Sequence, residues 1–140
     1  GVITELQLRL FGVPESIVAA VCQFPSVDAA VATVVTVLQL GVPIARIELL
    51  DALQMRACIA YSKLAGVEER PTLFLEFHGS PASVAEQVET VRELCTAEGG
   101  TAFRFASDEA ERRQLWKARH DVYWAARQLA PGKESFATDA

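Results

Sequence analysis

The sequence predicts an α+β domain, a ferredoxin-like βαββαβ antiparallel sheet with helices on one face and an extra long C-terminal helix. Three observations predict it. Apolar residues alternate with a period of two in several short runs. Between those runs they recur at spacings of three and four, as on one face of a helix. The two patterns alternate along the chain, with Gly, Pro, Ser or Asp at the junctions.

Residues 1–10 alternate Val2, Thr4, Leu6, Leu8 and Leu10 against Ile3, Glu5, Gln7 and Arg9, a strand pattern ended by Gly12 and Pro14. Residues 17–24, rich in Val and Ala, form a second strand. Pro25 ends it and Ser26 caps the helix that follows, whose apolar stripe is Val27, Val31, Val34 and Leu38 and whose stop is Gly41. Residues 43–50 read as a strand. Asp51 caps a short helix over 52–61, and a loop with Gly66 and Pro71 follows. Residues 72–78 are the clearest strand: Leu73, Leu75 and Phe77 point one way, and Thr72, Phe74, Glu76 and His78 the other. Ser80 and Pro81 lead into a helix striped by Val84, Val88, Val91 and Cys95 and stopped by Gly99 and Gly100. Residues 101–106 form a short strand. A long helix runs from Asp108 to about Leu129, and residues 136–139 start another strand. From Ile17 onward, leaving out the short helix, the order is βαββαβ. Such a unit closes a four-stranded antiparallel sheet with two helices on one face.

Composition narrows the function. The chain has 140 residues, 51% hydrophobic and 22% charged, which suits one core-forming domain and excludes a disordered segment. A net charge of -5 gives no general attraction for phosphate backbones, so no nucleic acid partner is expected. No apolar run is long enough to span a bilayer. Three Cys, far apart and in no CxxC pattern, read as reduced thiols in a cytoplasmic setting. The chain starts without Met in a strand-like run and stops at Ala140, so a piece of a longer protein is expected.

Motifs for nucleotide loops, nucleophile elbows, zinc proteases and calcium loops are absent. With only His78 and His120, no His-rich metal site is expected within the chain. The long helix places Arg112 and Arg119 on the stripe of Leu115, Val122 and Ala126. An inward arginine must be paired or must snorkel. Arg119 can grip the carboxylate of a small organic acid through two parallel donors, or pair internally with Glu48, Glu76 or Asp139. Trp116, His120, Tyr123 and Trp124 gather four rings within nine residues. They suit the wall of a pocket or a helix seated against another domain. His120 suits an acid, base or ligand, or a hydrogen-bonded structural histidine. Glu76 and His78 share a strand face and suit a base or metal pair, or an interdomain hydrogen bond. Arg46 and Glu48 share a face suited to cross-strand ion pairing. Lys133 suits an anion contact or a solvated loop.

Several segments resemble a known family. GVITELQLRL (1–10) looks like the strand that closes the FAD-binding domain of FAD-linked oxidases. ARIELLD (45–51), TLFLEFHGS (72–80), LWKARH (115–120) and the ending Thr138-Asp139 resemble that family's D-lactate dehydrogenase branch. The resemblance keeps its order along nearly the whole chain. It also extends to the flavin subunit of glycolate oxidase and to vanillyl-alcohol-oxidase-type flavoproteins.

The resemblance implies that residues 1–12 are the last strand of a missing FAD-binding domain. Residues 13–140 are then part of the cap that forms the substrate pocket, truncated at its C-terminal end. It implies oxidation of a D-2-hydroxy acid to the 2-oxo acid, with electrons passed to a cytochrome or an electron-transfer flavoprotein, and membrane association only through that acceptor. It makes Arg119, His120, Trp116 and Tyr123 substrate contacts, and Glu76 and His78 cofactor contacts. FAD is then bound mainly by the missing domain. Related 2-hydroxyglutarate enzymes carry Thr where this sequence has Tyr123, which points to a smaller monocarboxylate. The family's His-x-Gly-Asp-Gly-Asn-x-His segment, which holds a divalent metal and contributes to catalysis, lies outside this chain. The chain alone is therefore expected to be inactive, with its catalytic base unknown. An unpaired first strand or the aromatic face of the last helix invites self-association. The alternative is a stand-alone ligand-binding or dimerisation module without redox chemistry, since this fold hosts many functions.

Overall fold

A computed structural model describes residues 1–10, 12–106, 108–130 and 132–133. Its elements are β1 (Ser16–Gln23), α1 (Val27–Gln39), β2 (Arg46–Leu50), α2 (Ala52–Ser62), β3 (Thr72–Gly79), α3 (Pro81–Ala97), β4 (Thr101–Phe105), α4 (Glu109–His120) and α5 (Val122–Leu129). The sheet order is β2-β3-β1-β4, and every neighbouring pair is antiparallel. This is the predicted βαββαβ arrangement, with the two clearest strands at its centre.

The helix starts follow from local chemistry. Ser26 Oγ accepts from the Ala29 N–H at 3.1 Å, Asp51 from Gln54 at 2.7 Å and Asp108 from Glu111 at 2.8 Å. Each satisfies an amide that the first turn leaves without a partner. Gly41 takes a φ of +68° just after α1, a conformation open to glycine at little cost.

The alternation in β3 divides the interior in two. Leu73, Leu75 and Phe77 meet Ala30 and Val37 of α1 and Val84 and Val91 of α3. Phe74 turns to the opposite face and meets Met55 and Cys58 of α2, Leu115, Trp116 and Ala118 of α4 and Ala125 of α5. Burying each large apolar side chain contributes about 1.5–3 kcal/mol. The two βαβ helices lie on one face, as predicted. The other face is covered too, because Val21, Leu50 and Phe74 make it apolar and α2, α4 and α5 close over it.

Three expectations are corrected. Residues 1–10 are exposed and form no strand, since a strand needs an edge to pair with and this chain gives them none. β2 begins at Arg46 rather than at 43, after Pro43, which has no N–H to give a ladder. The long helix is two, α4 and α5, with a break at Asp121, whose carboxylate is paired with Lys117. Leu115 is buried and Val122 packs against the core as the expected stripe requires, while the break brings in Ala118 and Ala125, and Ala126 is not part of that core. The strand expected at 136–139 lies outside the described residues.

Candidate active-site cleft

The C-terminal half of β3 and the start of β2 face α4 across an open cleft of about 460 Å³. Ile17, Arg46, Glu76 and His78 form the sheet side. Arg112, Arg113, Trp116, Lys117 and His120 form the helix side.

Strand register builds the sheet side. Arg46 of β2 stands opposite Glu76 of β3, and Glu76 opposite Ala19 of β1. Glu76 is 4% exposed. A carboxylate that deep must be paired. His78 Nε2 meets Glu76 Oε1 at 2.8 Å, and Arg46 Nε approaches the same oxygen at 3.7 Å. The Arg46 guanidinium also lies 5.0 Å above the ring centroid of Trp116, whose other neighbour is Phe74, with ring centroids 6.5 Å apart. Arg46 is thus held at an edge and at a face, which fixes the plane of a group made for recognising carboxylates. Trp116 is 8% exposed, and its Nε1 has no partner among the described residues.

The helix side is cationic. Arg113 pairs with Glu109 and Lys117 with Asp121, and Arg112 lies 3.8 Å from Glu109. Four permanent cations line the cleft with Glu76, and Glu109 and Asp121 pair with three of them, leaving one net positive charge in a chain of net charge -5. That surplus of one favours a small anion.

Of the six predicted contacts, Glu76, His78, Trp116 and His120 come together here. Arg119 does not line the cleft. Its Nη2 donates to Glu48 Oε2 at 2.8 Å, one of the internal partners the sequence offers, and its Nε has no partner among the described residues. Tyr123 sits on α5, edge-on to Trp124 at 5.2 Å, with Arg127 stacked over both rings. It is not among the residues lining the cleft, and Lys133 is exposed and does not line it either. Sequence reasoning missed Arg46 as a cleft residue. Cross-strand ion pairing is what the sequence expects of Arg46, without naming the partner; the β2–β3 register supplies Glu76, while Glu48 goes to Arg119. Among the described residues no three His, Cys, Asp or Glu side chains cluster as metal ligands.

The family described as "FAD linked oxidases, C-terminal domain" matches residues 13–140. The chain is similar to a "Probable D-lactate dehydrogenase, mitochondrial" of Danio rerio, 52% identical over 99% of this chain and 28% of that protein. It is 39% identical to "D-lactate dehydrogenase [cytochrome], mitochondrial" of Arabidopsis thaliana, over 99% of this chain and 24% of that protein. It is 30% identical to "Glycolate oxidase subunit GlcD" of Escherichia coli K12, over 94% of this chain and 26% of that protein. The chain spans about a quarter of the length of these curated relatives. Among solved structures, an alkyldihydroxyacetonephosphate synthase superposes with a TM-score of 0.66 at 15% identity, over 84% of this chain and 25% of that one. That likeness is one of fold.

Proposed function

The chain belongs to the family of FAD-linked oxidase C-terminal domains, and from that premise we propose that it is the cap of a flavoprotein oxidising a D-2-hydroxy acid to its 2-oxo acid. The substrate is of the D-lactate or glycolate type. The observation that carries this reading is the cleft, where cations outnumber carboxylates around a Trp floor. A 2-hydroxy acid brings one carboxylate and little else, and guanidinium groups are its natural receptors.

The residues present fit a flavin ring edge at this opening. Trp116 offers a flat apolar wall and Arg46 a fixed positive charge, which suits a ring system that becomes anionic on reduction. When bound, FAD supplies the oxidant that accepts the substrate's hydride. Residues 13–140 form the cap, Glu76 and His78 are the cofactor-side contacts, and Trp116 and His120 wall the substrate. Arg119 stands outside the cleft lining, bonded to Glu48, and is proposed as a second carboxylate contact through its remaining donors; Tyr123 lies outside the lining as well. Residues 1–12 complete the FAD-binding domain, which holds most of the cofactor. A divalent metal, where the protein uses one, takes ligands from outside this chain. The electron acceptor is a cytochrome or an electron-transfer flavoprotein. No described helix is long and apolar enough to cross a membrane, and two relatives carry "mitochondrial" in their names. We place the protein in a reducing compartment, the mitochondrial interior ahead of the cytoplasm.

The test uses the full-length protein. Its visible flavin band should bleach when D-lactate or glycolate is added without oxygen. A colourless protein that FAD does not reconstitute would sink the reading. The present chain alone should reduce no dye with FAD and D-lactate.

A further inference from the structure

The permanent cations around the cleft use their donors differently. Arg112 and Arg113 turn Nη2 to Glu109, and Lys117 gives its ammonium to Asp121. Outside the lining, Arg119 gives Nη2 to Glu48. Arg46 turns the other end of its guanidinium to an acid. Its Nε faces Glu76 Oε1 at 3.7 Å, and its Nη1 and Nη2 have no acceptor among the described residues. Strand register sets this up, because Arg46 opens edge strand β2 directly opposite Glu76. The guanidinium is carried over Trp116, 5.0 Å from the ring centroid, and the side chain is half exposed in the cleft. Glu76 and Trp116 thus hold it from two sides and leave the Nη end open. Two Nη donors side by side match the two oxygens of a carboxylate.

We propose that Arg46 is the first receptor of the substrate's carboxylate, binding it end-on through Nη1 and Nη2, with Glu76 and Trp116 as its positioning residues; this rests on the functional reading above. No proton moves in this contact, because a guanidinium stays charged at every working pH. In a 2-hydroxy acid the hydroxyl-bearing carbon is bonded to the carboxylate carbon. A grip on the carboxylate therefore fixes where that carbon lies in the cleft. The carboxylate is the same group in the ground state and the transition state, so the contact lowers KM more than it raises kcat.

The experiment uses the full-length FAD-loaded protein. Arg46→Lys keeps a cation beside Glu76 and loses the planar fork. KM for D-lactate should rise about 10- to 100-fold, with kcat within about threefold of wild type. Pyruvate, the 2-oxo acid of D-lactate, reports the same contact without turnover. Its Kd on the oxidised enzyme, measured by calorimetry, should rise by the same factor in Arg46→Lys and further in Arg46→Met, which loses the charge. FAD content and circular dichroism establish that the variants are folded. The flavin midpoint potential of Arg46→Lys should match wild type, because the charge remains. Wild-type values of KM and of the pyruvate Kd in Arg46→Lys overturn the proposal. An unchanged pyruvate Kd with a shifted flavin potential also overturns it and assigns Arg46 to the flavin edge. A wild-type flavin that no 2-hydroxy acid reduces overturns the functional reading instead.

Discussion

Glu48 Oε2 accepts from Arg119 Nη2 at 2.8 Å across 71 residues of sequence. The bond ties edge strand β2 to the last turn of α4. One carboxylate fixes the guanidinium while Nε still has no partner among the described residues. A guanidinium has five donors, so Glu48 leaves others on Arg119 unused; Nε is buried, and in the proposed site a substrate carboxylate would use the remaining Nη donors from outside the cleft lining.

Arg119→Lys tests that sharing. Lysine keeps the charge and loses the planar fork. In the full-length flavoprotein, KM for D-lactate should rise about tenfold, the equivalent of one lost charge-assisted hydrogen bond. The limiting rate should change less. An unchanged KM removes Arg119 from the substrate site and leaves it as a tie between β2 and α4.

Trp116 serves the core and the cleft at once. It packs on Phe74 beneath Arg46. Trp116→Ala should cost about 3–5 kcal/mol, and Trp116→Phe much less because the ring remains. Urea unfolding monitored by circular dichroism measures both. Equal costs for the two variants would contradict a packing role for the ring.

The elements that were legible in the sequence are those decided within a few residues. Caps at Ser26, Asp51 and Asp108 and the alternation of β3 needed no distant information. The site was half legible. Residue type picked out Glu76, His78, Trp116 and His120, but the choice of Glu76 for Arg46 depends on strand register, which no local pattern encodes. Alternation at 1–10 could not supply the neighbouring strand that hydrogen bonding requires. The break at Asp121 lies among the weaker helix formers His120, Val122 and Tyr123, but propensity alone does not fix its place, and α5 packs on α2.

Of the described glycines, Gly100 has the least room for a side chain. A Cβ there would stand 2.6 Å from the Cys95 carbonyl oxygen and 2.8 Å from Cys22 Sγ. The first is backbone and has little room to yield, so Gly100→Ala should destabilise by about 1–3 kcal/mol through overpacking. Thermal unfolding reports it. A melting temperature equal to wild type would mean that the α3–β4 turn moves freely.

Residues 1–10 expose Val2, Ile3, Leu6, Leu8 and Leu10 and take part in no sheet. Deleting them should leave the melting temperature within the range of a surface change, about 0.5 kcal/mol. The same deletion should weaken concentration-dependent self-association, because an alternating apolar segment pairs readily with another copy. Sedimentation of both forms decides it. A monomeric parent chain at high concentration would remove self-association through this segment.

Alkaline pH should weaken the fold through its buried thiols. Burial pushes the Cys58 thiol above its ordinary range, against the lowering influence of Arg119. The neighbouring Cys22 thiol and burial push Cys95 up, while Cys95 draws Cys22 down and offsets part of the effect. A thiol in the unfolded chain ionises near pH ~8.5. Above that point the unfolded chain has released a proton that folded Cys58 still holds, so stability falls as pH rises. It should be undiminished below about pH 8.5 and decline until the folded value is passed. Urea midpoints across this range measure the slope. Cys58→Ala should flatten it, and an equal slope in that variant would assign the alkaline loss to groups other than Cys58.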